Sequence, residues 1–412
     1  MKVLFLVRDL PWPIDSGARI RSHSLAVRLA RRHEVTLVGY FGVHALPEPP
    51  EPTPFRSVIA VPEPDPAHGT RLLLRLVAST ANSLPYAVSK HLSQAMSDTV
   101  RDLLCRGDFD LVHCDSLPLA PYALAAQVPR VLDEHNVEWA LWARHARFAP
   151  SVPARAYALL QALKMRRFEA RTCSLFDECT VVSEIDAVRL KRICPSAKVS
   201  VVPNGVDTDA FRPTSAPPMP GRLVFVGSMD WLPNQDGLRW FTSRVWPRLR
   251  RRCPHASLCV VGRRPPAKVA SLASANGFDL VPDAPDVRPY VAQAEAFIVP
   301  LRIGGGTRLK ILEALAMQKP VVSTTVGAEG LDLSHGEHLL IADDPDAFAA
   351  AVERVLSDAA FAARLAAAGR EAVASTHNWD RLADMLDAVW HRAVRSYHAG
   401  PTPSARNGTD VA

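Results

Sequence analysis

The chain has 412 residues, of which 48% are hydrophobic and 22% are charged, and its formal net charge is +6. This length is typical of two globular domains, and the apolar content is sufficient for two cores without compositional bias. The charge is too dilute for a nucleic-acid surface, which needs a dense basic stripe, so we predict no nucleic-acid partner.

The cysteines and the hydropathy pattern indicate a cytoplasmic protein. The seven cysteines are scattered and form no CxxC pair, which favours reduced thiols over disulfides or a zinc site. The apolar run 3–7 is far shorter than the hydrophobic region of a signal peptide. No window reaches the roughly 18 apolar residues of a membrane span.

The first forty positions predict a βαβ unit: a buried strand, a Pro/Gly loop, an amphipathic helix and a second strand beginning near Glu34. Such a unit requires a parallel sheet, whose ligands bind at the carboxyl ends of the strands, where the loop from Asp9 to Arg21 would lie. We expect Leu46 to His68 to form a surface excursion around the run SVIAVP.

The rest of the first half continues the α/β pattern, with helices on both sides of Pro85. Further elements of this half are predicted as strands at 109–113, 129–132, 178–183 and 199–203 and a long basic helix at 154–172. The segment FRPTSAPPMPGR has high proline content and no periodicity, which is typical of a linker. We predict a first domain at 1–213 and a linker at 214–220.

After the linker the alternation of strands and helices restarts, which predicts a second doubly wound domain at 221–376. The sequence DDPDAF predicts a capped helix start. A final amphipathic helix at 377–398 outlasts this domain and is predicted to cross back to the first one. The tail 399–412 has few apolar residues and is predicted to be disordered. The fold class is therefore α/β, two Rossmann-like domains facing each other across a cleft, which suits a two-substrate reaction.

Three glycines, Gly304, Gly305 and Gly306, lie between a predicted strand and a predicted helix. Their backbone N–H groups and the helix N-terminus would form an anion site suited to a diphosphate. The alternative is a tight turn without a ligand, and the spacing is not that of a P-loop. Glu313 lies on the same helix face as Gly306 and could accept hydrogen bonds from ribose hydroxyls; alternatively, a neighbouring Arg or Lys pairs with it.

Other polar groups predict no metal site. The DTD sequence at 207–209 follows PNGV and is typical of a turn, and the DPD sequence at 344–346 starts a helix. His377 and His391 have no ligand partners at metal spacing, so we predict no zinc.

Two basic apolar segments, ALLQALKMRRFEARTCSLF and RLLLRLV, could dock on an anionic bilayer and bring a lipid-linked acceptor to the protein. The alternative is a solvated helix that packs on the core.

Four motifs together resemble a known family. GGGTRLKILEALAMQKPVVSTTVGAEGL, with VSE at 182–184, VVPNGVD at 201–207 and DVRPYVAQAEAFIVPL at 286–301, resembles the retaining glycosyltransferases of family four, which have the GT-B fold. GSMDWLPNQDGLRWF and GGGTRLK are similar to a bacterial subgroup that makes exopolysaccharide and other surface glycans. The resemblance implies hexosyl transfer, with retention and without a metal or other cofactor, from a nucleotide-diphosphate sugar on the C-terminal domain. The acceptor, a glycan or a lipid-linked sugar, would lie on the N-terminal domain, with peripheral contact to the cytoplasmic membrane face.

The resemblance also implies roles for individual residues. Glu313 matches the second Glu of the E-x7-E motif, which holds the ribose. His135, in LDEHNVEW, matches a cleft histidine that contacts the reacting sugar through a neutral imidazole or its backbone carbonyl, the alternative being a structural histidine. The remaining matches are the diphosphate backbone at Gly305, Gly306 and Thr307, the N-terminal glycine loop at Gly17, and the nucleobase loop at Pro282, Asp283 and Val287.

The chain departs from the family at two places. The first Glu of E-x7-E is replaced by Gly305, and Ser228 and Asn234 lie where the family has an Arg and a Lys. A helix N-terminus stabilises an anion by about 0.3–2 kcal/mol, whereas a hydrogen bond to a charged group contributes about 1.5–3 kcal/mol. We therefore predict that Arg308 or Lys310 supplies the missing cation.

Arg19 or Arg21 is the second choice for that cation, and ordinary solvated helix charges are the alternative for Arg308 and Lys310. The departures also keep other functions open. These are a non-catalytic partner of another transferase, a nucleotide-sugar epimerase and a phosphorylase.

Overall fold

The computed structural model describes residues 1–42, 53–64, 67–149, 151–215, 217–304 and 308–400. The chain forms two compact units, Met1–Pro203 with the segment that begins at Leu382, and Asn204–Arg381. The first unit thus ends before the predicted boundary at 213. The reason is that the NGVD turn folds with the second unit, where Val206 pairs with Asn378 and Phe211 packs on the core.

The first unit contains a seven-stranded parallel sheet in the order β3-β2-β1-β4-β5-β6-β7. Its strands are β1 (Lys2–Asp9), β2 (Glu34–Phe41), β3 (Ser57–Pro62), β4 (Leu111–Cys114), β5 (Arg130–Glu134), β6 (Glu178–Val181) and β7 (Val199–Val201). The continuous apolar run 3–7 is fully buried, as expected of a strand that helices cover on both faces. SVIAVP is the edge strand β3 and not merely part of a surface excursion, because it pairs along its length with β2.

Eight α-helices of the first unit, and a 3-10 turn at Leu117–Leu119, precede the second unit along the described chain. The α-helices are α1 (Gly17–Ala30), α2 (Gly69–Ala81), α3 (Tyr86–Ser89), α4 (Gln94–Arg106), α5 (Ala120–Ala123), α6 (Glu138–Arg147), α7 (Val152–Cys173) and α8 (Glu184–Ile193). The long basic helix predicted at 154–172 is α7. It starts with a Ser151 cap whose side chain accepts a hydrogen bond from the Ala154 N–H.

The second unit contains a six-stranded parallel sheet in the order β10-β9-β8-β11-β12-β13. Its strands are β8 (Arg222–Ser228), β9 (Ser257–Arg263), β10 (Asp279–Pro282), β11 (Ala296–Val299), β12 (Val321–Ser323) and β13 (Leu340–Ile341). Its helices are α9 (Leu232–Trp240), α10 (Trp246–Arg252), α11 (Ala267–Asn276), α12 (Arg288–Ala292), α13 (Leu309–Ala316), α14 (Thr325–Ala328), α15 (Pro345–Ser357) and α16 (Ala359–Thr376). A π-helical turn at Phe241–Val245 joins α9 to α10. The predicted cap is confirmed, since the Asp344 side chain accepts the N–H groups of Asp346 and Ala347.

The last helix, α17 (Trp379–Ala399), packs on the first unit from Leu382 onward. Trp390 is fully buried, and Asp387 Oδ1 lies at hydrogen-bond distance, 2.9 Å, from His33 Nε2. The Tyr397 hydroxyl donates to the Gln127 carbonyl at 2.8 Å. Of the predicted tail, residues 401–412 lie outside the described chain. Across the described residues, none of the helices combines the length and the apolar character needed to cross a membrane.

Each sheet reverses its winding direction at one place. In the first unit this place is the pair β1 and β4, and in the second it is the pair β8 and β11. In doubly wound sheets, ligands bind beyond the carboxyl ends of the strands at this point. The residues that follow these strands are therefore the first candidates for a functional site in each unit.

Candidate active site

A small pocket lies at the reversal point of the first unit. Strands β1, β4 and β5 end there, and the first turns of α1 form another wall. The pocket is lined by Arg8, Asp9, Ala18, Arg19, Ser22, Asp115, Ser116 and His135. Gly17, the predicted glycine-loop residue, is the first residue of α1, and the first turn of this helix carries no acidic side chain. The helix N-terminus at the pocket therefore favours a negatively charged group.

A buried ion pair lies behind this pocket. Arg21 binds both carboxylate oxygens of Asp133, at 2.8 and 2.9 Å, and a third nitrogen donates to the Pro203 carbonyl at 2.9 Å. The Thr180 hydroxyl donates to Asp133 at 2.6 Å. The guanidinium of Arg21 is thus held inside the unit and does not offer the second-choice cation for a diphosphate. Arg19, which lines the pocket, pairs with Asp15 at 3.0 Å.

His135 lies between two buried carboxylates. Its Nε2 atom is 3.3 Å from Asp115 Oδ1 and 3.6 Å from Asp133 Oδ2. Burial lowers the pKa of His135, but the two carboxylates outweigh this effect and raise it to about 9. The side chain is therefore an imidazolium at neutral pH, in contrast to the neutral imidazole that the family resemblance suggests.

The chain around His135 is fixed by Glu169 of α7. Both carboxylate oxygens of Glu169 accept backbone N–H groups at the start of α6, from Glu138 at 2.8 Å and Trp139 at 3.0 Å. Glu169 is buried, and burial raises its pKa to about 8. This side chain caps α6 and so holds the segment that connects β5 to α6, on which His135 lies.

Sequence analysis missed the two carboxylates that pair with His135. Asp115 follows β4 in LVHCDS, and Asp133 lies in β5 two residues before His135. Charged residues at the ends of buried apolar strands could have indicated both positions, because a carboxylate there needs a partner.

In the second unit, Lys310 reaches the end of β8. Its Nζ atom donates to Asn234 Oδ1 at 3.1 Å and lies 4.8 Å from the centre of the Phe225 ring. A Cβ atom at Gly227 would come within 2.7 Å of Nζ and 2.6 Å of Asn234 Nδ2, so only glycine fits there without displacing them. The ammonium of Lys310 thus lies beside the segment with Ser228 and Asn234, where the family has an Arg and a Lys.

Arg308 immediately precedes α13, and its side chain is buried. The guanidinium carbon lies 5.4 Å from the centre of the Trp231 ring, within cation–π range. Gly304 has φ = 147°, and a side chain there would collide with the guanidinium. Arg308 is therefore not a solvated helix charge. Gly305, Gly306 and Thr307 lie outside the described residues.

Glu313 and Lys310 are half-buried residues of α13 and influence each other's charge. Burial lowers the pKa of Lys310 to about 7, with Arg308 acting in the same direction and Glu313 opposing it. Burial raises the pKa of Glu313 to about 7, and Lys310 opposes this shift. Both side chains therefore change charge near neutral pH, and an anion next to Lys310 would favour its charged form.

The predicted nucleobase loop begins at the end of β10. Pro282 and Asp283 are exposed, whereas Val287 packs against the core of the second unit. Asp283 and Arg264 both have a left-handed backbone, with φ of 48° and 50°, and the Arg264 N–H donates to the Asp283 carboxylate at 2.8 Å. This paired turn holds two non-glycine residues in a conformation they adopt rarely.

Two sets of His and Asp side chains lie close enough together to hold a metal within the described chain. The first set is His33 and Asp387, which are half-buried, and the exposed His391. The prediction that His391 has no partner at ligand spacing is therefore wrong, since Asp387 lies one helical turn before it. The buried set contains Asp115 and Asp133, whose carboxylates are already engaged by Ser22 and Arg21.

The predicted turn at DTD is confirmed. Asp207 Oδ1 accepts the backbone N–H groups of Asp209 and Ala210, at 3.0 and 2.9 Å. All seven cysteines are free, and of these only Cys105 is exposed.

Two family models match the chain on either side of the unit boundary. The model described as Glycosyltransferase Family 4 matches residues 16–210, and the model described as Glycosyl transferases group 1 matches residues 220–358. The chain belongs to glycosyltransferase family 4. The matched ranges of this glycosyltransferase begin after β1; they include β4 at the first reversal point, both strands of the second, β8 and β11, and the residues predicted for the site.

Curated relatives of this glycosyltransferase include two kinds of protein. The GDP-mannose-dependent alpha-(1-6)-phosphatidylinositol monomannoside mannosyltransferase of Mycobacterium tuberculosis is 27% identical over 358 residues, which are 76% of this chain and 90% of that protein. A Klebsiella pneumoniae protein described as an uncharacterized 44.6 kDa protein in the cps region is 31% identical over 135 residues, 31% of this chain and 35% of the relative.

Solved structures show that the glycosyltransferase has the GT-B fold. Sucrose-phosphate synthase from Thermosynechococcus elongatus matches with a TM-score of 0.74 at 16% identity, covering 96% of this chain and all of that one. The Anabaena protein Alr3699/HepE, solved in complex with UDP-glucose, matches with a TM-score of 0.66 at 12% identity, covering 95% of this chain and 99% of that one.

Proposed function

We propose that this glycosyltransferase moves a hexose from a nucleotide-diphosphate sugar to an acceptor hydroxyl, with retention of configuration and without a bound metal. The observation that carries the proposal is the position of the Lys310 ammonium beside Gly227 at the end of β8. The reaction would serve the synthesis of a bacterial surface polysaccharide or glycolipid.

The second unit would bind the sugar donor. When the bond between the sugar and the diphosphate breaks, negative charge develops on the leaving phosphate, and cations fixed at that point stabilise it. Lys310 and Arg308 are attached to neighbouring positions at the start of α13, and both are held against aromatic rings. We assign them to the leaving diphosphate, with Glu313 on the ribose and the loop of Pro282, Asp283 and Val287 near the nucleobase.

Gly305 replaces the family's first Glu, which would contact the sugar. We expect this replacement to affect recognition of the sugar and not of the nucleotide. The two cations and Glu313 cover the parts that all nucleotide sugars share. The base is left open by the relatives, because one is named for GDP-mannose and one structure holds UDP-glucose. A panel of nucleotide sugars is therefore the appropriate probe.

The first unit would bind the acceptor at its pocket. Arg8, Arg19 and His135 line this pocket together with Asp9 and Asp115, so N–H donors and carboxylate acceptors lie side by side around it. Such a lining suits an acceptor that offers hydroxyl groups together with a phosphate. A lipid-linked acceptor has this chemistry, and the name of the mycobacterial relative refers to a phosphatidylinositol acceptor.

A surface on α2 and α7 suits contact with an anionic membrane. The two helices are joined by Lys164 of α7, which donates to three carbonyls at the end of α2 at 2.5–2.9 Å. Six large apolar side chains on them are exposed by 46–81%, namely Leu73, Leu74, Val77, Val152, Leu159 and Leu163. Exposed Arg75, Arg155 and Arg167 flank them, α2 has no acidic residue, and the one acid of α7, Glu169, is buried.

Vesicle sedimentation tests this membrane contact. We expect the protein to sediment at low salt with vesicles that contain phosphatidylglycerol and not with phosphatidylcholine alone, because apolar insertion and charge attraction act together. The variant Leu73→Ser/Leu74→Ser should lose binding, whereas the exposed leucine variant Leu232→Ser in the second unit should keep it. If the protein sediments with neither vesicle type, or if the double variant still binds, the membrane assignment is wrong. The surface then faces a protein partner or solvent.

Proton NMR of nucleotide-sugar turnover tests the central proposal. With UDP-, GDP-, ADP- and dTDP-hexoses, EDTA present and water as a slow acceptor, we expect one donor family to release a hexose that first appears with the anomeric configuration of the donor. Inverted sugar, or turnover abolished by EDTA, contradicts the proposal. An epimerase would convert the sugar without releasing it, a phosphorylase would require phosphate, and a non-catalytic partner would bind without turnover.

A further inference from the structure

Two buried imidazoles face the same carboxylate in the first unit. Asp115 Oδ1 lies 3.3 Å from Nε2 of His135 and 3.9 Å from Nε2 of His113, and Asp115 Oδ2 accepts the hydroxyl of Ser22. His113 is fully buried in β4 and is not among the residues that line the pocket described above. Both histidines face Asp115, so this carboxylate alone does not determine which of them carries the positive charge, although Nε2 of His135 also lies 3.6 Å from Asp133.

The indole of Trp390 removes this ambiguity. Its Nε1–H group donates to Nδ1 of His113 at 3.1 Å. An indole nitrogen can only donate, so Nδ1 of His113 must be the unprotonated nitrogen and the ring must be neutral, with its proton on Nε2. That Nε2 atom makes no hydrogen bond within the described chain and faces Asp115 at a distance too long for one.

The His113 ring is packed against two aromatic rings of the first unit. Its ring lies 4.2 Å from the Phe5 ring and 5.5 Å from the Trp390 ring, measured between centres. Trp390 is itself fully buried in α17 and packs against the His33 ring at 5.6 Å. The indole is thus held in place by the body of the first unit, although 277 positions separate it from His113 in the sequence.

We propose that Trp390 is a positioning residue that keeps His113 neutral and thereby places the single imidazolium of this cluster on His135, at the pocket. This role of Trp390 rests on the proposed function in one respect, namely that His135 acts on the substrate. The charged groups that face His135 are Asp115 and Asp133, with Arg21 behind Asp133, Glu138 at the start of α6, and Arg8, Asp9 and Arg19 around the pocket.

Removal of the indole N–H should redistribute this charge. In Trp390→Phe, Nδ1 of His113 becomes free to take a proton, and the new cation then shares Asp115 with His135. A like charge at this range disfavours the imidazolium of His135. We expect its pKa to fall by about one pH unit, because two like charges a few ångströms apart interact at that scale. The alkaline limb of the kcat/KM profile should move to lower pH in parallel.

Long-range proton–nitrogen NMR of the full chain with 15N-labelled histidine measures both effects without substrate. The His113 and His135 signals are assigned with His113→Gln and His135→Gln. We expect His113 to show the neutral Nε2–H tautomer in the parent protein, and this pattern to be lost in Trp390→Phe. The matched control is Trp246→Phe, which removes an indole hydrogen bond to the Asn276 carbonyl in the second unit and should change neither signal.

A rescue variant separates this role from general packing. Gln at position 113 cannot ionise, so Trp390→Phe/His113→Gln should restore the high pKa of His135 even though the indole is still missing. An Nδ1–H tautomer of His113 in the parent protein overturns the proposal. So does a His135 titration that Trp390→Phe leaves unchanged or that the double variant fails to restore.

The proposed function and the role of Trp390 can fail separately. If the parent protein turns over no nucleotide sugar, the proposed function fails, but these NMR outcomes still decide the role of Trp390. If Trp390→Phe does not fold, the tautomer of His113 in the parent protein decides that role.

Discussion

The two reversal points hold cations in opposite surroundings. In the first unit, His135 lies between Asp115 and Asp133, which keep it charged and raise its pKa to about 9. In the second unit, Lys310 lies against an aromatic ring and an amide, and burial lowers its pKa to about 7. The first cation is stabilised by the protein itself, whereas the second is poised to gain a stabilising charge from an incoming anion.

This difference matches the chemistry assigned to each unit. A diphosphate brings its own negative charge. Lys310 is costly to keep charged in the free protein, so it gains more from that charge than a cation such as His135, which already has carboxylate partners. A neutral acceptor hydroxyl brings no charge, and the cation near it needs permanent counter-ions.

The largest effect should come from breaking the buried ion pair. Arg21→Met leaves Asp133 without its guanidinium inside the first unit, and we expect a loss of about 3–5 kcal/mol in the free energy of unfolding. Urea denaturation followed by circular dichroism measures it. Arg101→Met, which removes an exposed pair with Asp98, should cost less than about 1 kcal/mol. Equal losses in both variants would contradict the fully buried network.

The second prediction concerns turnover. Lys310→Met removes the cation beside Gly227 and should lower kcat/KM by about 10²–10³-fold, the scale for losing one group that stabilises developing charge. Steady-state kinetics with the preferred nucleotide sugar measures this effect. Lys268→Met, an exposed lysine of α11, should retain parental rates. If Lys310→Met keeps full turnover, Arg308 alone carries the leaving-group role, and Arg308→Met becomes the decisive variant.

The third prediction concerns pH and nucleotide binding. Because the pKa of Lys310 lies near 7 in the free protein, binding of a diphosphate at higher pH must take up a proton. Affinity should therefore fall as pH rises from 7, by about tenfold per pH unit for one coupled proton. Calorimetry in buffers of different ionisation enthalpy measures the proton uptake. Uptake that persists in Lys310→Met would place the titrating group elsewhere.

The smallest effect concerns pH and stability of the first unit. The pKa of His135 is raised in the folded protein, so its stabilising contribution is fully present below the ordinary histidine value near 6.5 and is lost as pH rises through about 9. We expect wild-type stability to fall by about 1 kcal/mol or more between pH 6 and 9.5 relative to His135→Gln. Parallel stability curves for the two proteins would show that His135 is not charged in the native state.

Local sequence patterns predicted much of the fold because its causes are local. The buried run of β1, the cap at Asp344 and the restart of strands after the linker all follow from composition and periodicity within a few residues. The position of Lys310 could also be predicted, since it follows the glycines in GGGTRLK. Strand β3 was harder to assign, because its pairing with β2 and not its own pattern makes it part of the sheet.

The electrostatics of the first unit could not be predicted in the same way. The charge on His135 depends on Asp115 and Asp133 and, in our proposal, on the indole of Trp390, which is 277 positions from His113 in the sequence. Side-chain contacts at such separations follow from the packing of strands and helices and leave no spacing in the sequence. For His391, the i,i+4 spacing to Asp387 on the predicted helix could have indicated one partner, whereas His33 comes close only through the placement of α17.

The most direct test of the account is a thermal-shift panel of UDP, GDP, ADP and dTDP on the parent protein, Lys310→Met and Lys268→Met. A ligand at 100 times its dissociation constant adds about 2.7 kcal/mol of stability, which is readily visible as a higher Tm. We predict that one nucleotide raises the Tm of the parent protein and of Lys268→Met but not of Lys310→Met. No shift with any nucleotide, or equal shifts in all three proteins, would contradict the placement of the donor diphosphate at Lys310.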